Sequence, residues 1–161
     1  WRIGGMVQGI RFHLLGATIL SLMFGWARAV ISLTLAAVAA GFYGSGSWQT
    51  VSFDVLVSGA LPVAISCGVL ALTGRVLPRH LFVYLFVCAF LGGYASMLSC
   101  GLATTSIARL AGFHTTDDAL PMWLLLSFGE ATLSGMIITL AVVYRPSWVE
   151  TFDETQCLKR R

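Results

Sequence analysis

The sequence predicts an all-α fold, a polytopic bundle of transmembrane helices. Three observations predict it. Of 161 residues, 57% are hydrophobic and only 11% are charged, against about 25% charged in an ordinary soluble domain. The mean hydropathy is +0.84. The charges also avoid four long apolar stretches, Phe12–Tyr43, Val51–Thr73, Leu81–Thr105 and Ala119–Tyr144, which together hold only Arg28, Asp54 and Glu130. So few charges would not cover the surface of a soluble domain. Soluble-enzyme, disordered and secreted disulfide-rich classes are therefore set aside. The net charge of +3 comes mostly from loops and the C-terminal tail and gives no argument for nucleic acid.

A membrane-spanning helix needs about 20 apolar residues. The last three stretches each fit one helix. They are too long for barrel strands, which alternate over roughly 10 residues. The first stretch does not fit one helix. Its 32 residues would run about 48 Å, against a hydrocarbon core of roughly 30 Å. It would also hold Arg28 inside the membrane, where a charge costs at least about 2.5–3.5 kcal/mol. Two elements solve both problems: a short helix near Phe12–Phe24, a turn at Gly25, and a second helix from Trp26 to Tyr43. Arg28 then lies at a membrane surface, with Trp26 in the interfacial belt. The rival arrangement, one kinked helix with the N-terminus inside, leaves Arg28 within the membrane. The expected organisation is one domain over 1–161. It comprises an outer N-terminal segment 1–11, a five-element bundle 12–144 and a cytoplasmic tail 145–161.

Loop charges set the orientation. Gly44–Thr50 has none, whereas Gly74–His80 carries Arg75 and Arg79, and the tail carries Arg145, Lys159, Arg160 and Arg161. The positive-inside rule puts the latter two in the cytoplasm. The loop around His114 then faces out. The chain starts at Trp1 without a cleavable signal, so a preceding N-terminal part is expected.

Four cysteines, Cys67, Cys88, Cys100 and Cys157, show no CxxC spacing and read as small apolar residues. Small residues recur at four-residue intervals in each long helix: Ala60, Ala64 and Gly68; Gly92, Ser96 and Cys100; Ser127, Ala131 and Gly135. Such stripes let helix backbones approach closely, so compact packing within the chain is expected, with any stripe also able to face a partner. Glu130 lies mid-membrane and should face the bundle interior, be protonated or have a partner. Asp54 stands near the outer end of its helix, where a carboxylate also suits the helix dipole. His13, Asp54, His114, Asp117 and Asp118 all fall on the outer side. Imidazole and carboxylate together suit cobalt, nickel or zinc, although a solvated loop explains the last three better.

Several motifs then combine. The segment His13-Leu14-Leu15-Gly16, followed by Phe24-Gly25 and Trp26-Ala27, resembles the cobalt/nickel energy-coupling-factor permeases, the CbiM/NikM-like membrane subunits of ABC-type transporters. Asp54-Val55 through Gly59-Ala60-Leu61-Pro62 is similar to that family's N-V-x-x-x-G-x-x-G-P stretch, with Asp54 for Asn. Phe128-Gly129-Glu130-Ala131 resembles its G-E-[AG] motif. Tyr144-Arg145-Pro146-Ser147-Trp148, then Phe152-Asp153, resembles a proteobacterial branch. The resemblance implies ion transport: the capture of Co2+ or Ni2+ as substrate, with no cofactor of the chain's own. It implies a membrane scaffold subunit and cytoplasmic ATPases as partners. It also implies a metal-ligand role for His13; Asp54 and His114 are candidate substitutes for the family's other ligands by residue type and outer placement alone. Glu130 and Arg28 are gating or structural. The family's N-terminal Met-His strap has no counterpart in this sequence. No Walker A motif and no catalytic constellation is present, so the chain is not expected to be an enzyme. The alternative function is a non-transporting structural or assembly subunit of a larger membrane complex.

Overall fold

The computed structural model describes residues 16–43, 55–77, 80–110, 112 and 119–152. Four helical elements follow one another, with no strand among the described residues. Helix α1 spans Ala17–Tyr43. Helix α2 spans Leu61–Val76 and is entered through a π-helical turn, Val55–Ala60. Helix α3 runs Leu81–Leu110 and contains a π-helical segment, Tyr84–Leu91. Helix α4 spans Ala119–Tyr144. A 3-10 turn, Pro146–Trp148, begins a strap that is described as far as Phe152. By length and apolar composition Leu81–Leu110 and Ala119–Tyr144 can each cross a membrane, Leu61–Val76 is a shorter apolar helix, and Ala17–Ala36 is as apolar but is broken at Gly25. The architecture is the predicted all-α bundle.

The first stretch is broken where its glycine stands. Gly25 has φ 77° and ψ 167°, a backbone conformation open to glycine but costly for residues with a Cβ. The chain reverses there. Before the break, Thr18 bonds Ser66 in the middle of α2. After it, Leu33 lies against Gly59, at the start of α2. A straight helix would carry Leu33 about 22 Å past Thr18 in the opposite sense. Ala17 and Ala29, from either side of the break, bury together against Val63. Thus Ala17–Phe24 forms a short arm, and Trp26–Tyr43 a longer one.

The break leaves carbonyls that an unbroken helix would have used. The strap supplies their donors. The Glu150 N–H donates to the Met23 carbonyl at 3.1 Å, and the Thr151 N–H to the Leu22 carbonyl at 3.4 Å. Thr151 Oγ1 also donates to Leu22 O at 2.8 Å. Arg28 Nη2 pairs with Glu150 Oε2 at 2.5 Å. Val149 and Phe152 anchor the strap in an apolar cluster with Leu22, Tyr84, Cys88, Ala89, Ile138 and Val142.

Helices α3 and α4 pack antiparallel through small residues. Gly101 faces the Trp123 ring, Gly93 faces Ala131 and Ser134, and Phe90 faces Gly135. Outward on α3, Phe82, Phe86 and Phe90 stack with ring centroids 5.8 and 5.6 Å apart. The small-residue stripes behave differently from one another. Gly92, Ser96, Cys100, Ser127 and Ala131 are buried, and Gly135 is half-buried against Phe90. Ala60, Ala64 and Gly68 face outward, against the expectation of packing within the chain. The buried face of α2 is instead Pro62, Val63, Ser66 and Thr73, because the hydroxyl of Ser66 is drawn to Thr18 and sets the rotation of the helix.

Two glycine substitutions should separate packing from propensity. Gly101→Val drives a branched side chain into the Trp123 ring, and we expect a loss of about 1–3 kcal/mol. Gly68→Ala enters open space, and we expect a gain of up to about 1 kcal/mol from helix propensity. Equilibrium unfolding in detergent micelles measures both.

Candidate functional site

The interior of the bundle is polar at its centre. Ser127, Glu130, Ala131, Ser134 and Ile138 make up one buried face of α4. They recur at spacings of three and four, so all fall on the side turned to α3. Glu130 is 2% exposed and stands 11 positions after Ala119. The antiparallel pairing of α3 with α4 places it at the level of Ser96 and Met97. Thr18, Ser21, Ser66 and Ser96 are buried too.

These hydroxyls join three helices. Thr18 Oγ1 lies 2.8 Å from Ser66 Oγ and 3.0 Å from Ser96 Oγ. Ser96 Oγ donates to the Gly93 carbonyl and Ser21 Oγ to the Thr18 carbonyl. Each hydroxyl would cost free energy if buried alone in an apolar medium. Shared between helices, they fix rotation and register. Hydroxyl oxygens of this kind accept hydrogen bonds, from water among others, or hold hard cations. They are not the nitrogen-rich set that nickel or cobalt favours.

The predicted site residues fall into two groups. His13, Asp54 and His114 lie outside the described residues, as do Asp117 and Asp118. Among the described residues no group of three His, Cys, Asp or Glu is placed to hold a metal ion. Glu130 and Arg28 are described, and they are not partners of one another. Glu130 sits in the interior. Arg28 sits at the end of the bundle where α4 leaves it, paired with Glu150, both side chains more than half exposed. Cys67, Cys88 and Cys100 form no disulfide.

Sequence reasoning missed the Thr18–Ser66–Ser96 cluster and the strap. The only signal for the cluster was a hydroxyl on each of three helices. Thr34, Thr73, Thr104, Thr105, Thr132 and Thr139 offer the same signal, yet each bonds a carbonyl of its own helix.

The comparisons with known proteins bear on this interior. A family model described as CbiM, cobalt uptake substrate-specific transmembrane region, matches residues 1–148. No curated protein and no solved structure gives a significant match.

The hydroxyl cluster yields a measurable coupling. Thr18→Val should cost about 0.6–1.7 kcal/mol, the range for hydrogen bonds between membrane helices. In a double-mutant cycle with Ser66→Ala we expect an interaction energy of at least about 0.5 kcal/mol. Additive losses on unfolding would show that the hydroxyls do not act together.

Proposed function

The chain belongs to the CbiM family, the cobalt uptake substrate-specific transmembrane region, and from that premise we propose that it is the substrate-capturing membrane subunit of an ATP-driven uptake system for cobalt or nickel ions. The family match, which covers residues 1–148 of 161, carries this reading. The chain is a multi-pass membrane component of cobalt uptake.

The sequence holds no nucleotide-binding loop, so ATP hydrolysis would belong to separate cytoplasmic subunits working through a membrane scaffold subunit. Arg75, Arg79 and the Lys159–Arg161 cluster favour a cytoplasmic strap and tail in a bacterial inner membrane. The substrate would then enter at the opposite end. There His13 is the proposed principal ligand in this chain, since neutral imidazole suits cobalt and nickel, and Asp54 and His114 would add oxygen and nitrogen donors. Glu130, in the interior, would contribute to gating or to packing and not to capture.

Elemental mass spectrometry on mildly purified protein, produced from its full reading frame, tests the proposal. We expect stoichiometric cobalt or nickel, falling at least tenfold in His13→Ala. Unchanged metal in that variant would remove His13 from the site. A metal-free protein that co-purifies with a fixed set of membrane subunits, none an ATPase, would favour the structural or assembly reading.

A further inference from the structure

We propose that the strap after α4 is a displaceable latch, and that its docking fixes the position of the short arm Ala17–Phe24 and so controls the hydroxyl cluster inside the bundle. The arm is a single rigid piece, eight residues and about 12 Å long. The strap grips one end through the Leu22 and Met23 carbonyls. One turn before Leu22, Thr18 bonds both Ser66 and Ser96. A shift at the gripped end is therefore a shift at the cluster, because an eight-residue helix has no room to bend between them.

The strap is built to leave without unfolding the bundle. Its described part is only eight residues, Arg145 to Phe152. Its ion pair, Arg28 with Glu150, has side chains 63% and 52% exposed, and an exposed pair of this kind contributes little to stability. Two buried side chains, Val149 and Phe152, anchor it. Among the described residues, it is further tied by the hydrogen bonds to the arm, by one between Thr151 Oγ1 and Tyr84 Oη at 2.6 Å, and by the Phe152 ring against that of Tyr84. By contrast α3 and α4 bury whole helix faces against each other. When the strap leaves, the Leu22 and Met23 carbonyls lose their donors, and the arm becomes the next element to loosen. Gly25 belongs to the same device: a Cβ there would come within 3.2 Å of Glu150 Oε2. The inference rests on the described geometry and not on the transport reading.

Hydrogen exchange on the full chain in nanodiscs tests it, read peptide by peptide. Phe152→Asp puts a charge into the apolar anchor site and should expel the strap. We expect exchange in 17–24 to rise at least tenfold, with 92–110 and 119–144 unchanged. Glu150→Lys, a milder change beside Arg28, should give a rise of threefold or more in the same peptide. It keeps the test open if the first variant fails to fold. Cross-linking cysteines placed at 28 and 150 with a short bismaleimide, in a background lacking the native cysteines, should hold 17–24 protected even with Phe152→Asp. Equal loss of protection in all three peptides, or none in 17–24 in a folded variant, would overturn the proposal.

Discussion

A backbone carbonyl that loses its helical donor at a break must find another, and this one constraint shapes the bundle. The reversal at Gly25 withdraws the ordinary donors from the carbonyls of Leu22 and Met23, and residues from the far end of the chain replace them. Much of the arrangement follows from that repair. The reversal turns one overlong apolar stretch into two arms of usable length. It brings Arg28 to the surface, where Glu150 meets it. It also aims the short arm into the bundle, so that Thr18 reaches α2 and α3 at once.

The polar centre is held by close approach. Small residues let α3 lie against α4, with Gly93 on Ala131 and Gly101 on the Trp123 ring. Trp123 Nε1 in turn donates to Thr105 Oγ1 at 3.1 Å, which ties the ring back to α3. At such separations hydroxyls of neighbouring helices can bond directly. The same closeness keeps Glu130 away from lipid, where a carboxylate is expensive. Larger residues at these glycines would separate α3 from α4 and break the bond between Trp123 and Thr105.

The helices and the break were legible in the sequence, because both rest on local facts. Apolar length gives the helices, and the single Gly25 beside Arg28 gives the turn. The family was legible through ordered motifs around His13, Asp54 and Glu130. Which face of each helix is buried was legible only in part. Ser127 and Ala131 turn inward as a small-residue stripe suggests, whereas Ala60, Ala64 and Gly68 turn outward. A stripe marks a face that permits close approach, and it does not say which neighbour uses it. The hydroxyl cluster was hidden for a related reason. A threonine in a helix has a carbonyl of its own within reach, and nothing local says that Thr18 will prefer two other helices. The strap was hidden because its partners are more than a hundred residues away. Of the proposed capture site, His13, Asp54 and His114 rest on sequence alone.

The strap has a consequence for the order of synthesis. Thr151 and Leu22 are 129 positions apart. A ribosome adding about 5–20 residues per second needs on the order of ten seconds to cover that distance. Throughout that interval the first arm is already made while its donors do not yet exist. The short arm therefore acquires its final hydrogen bonds only after residues more than a hundred positions later have been made.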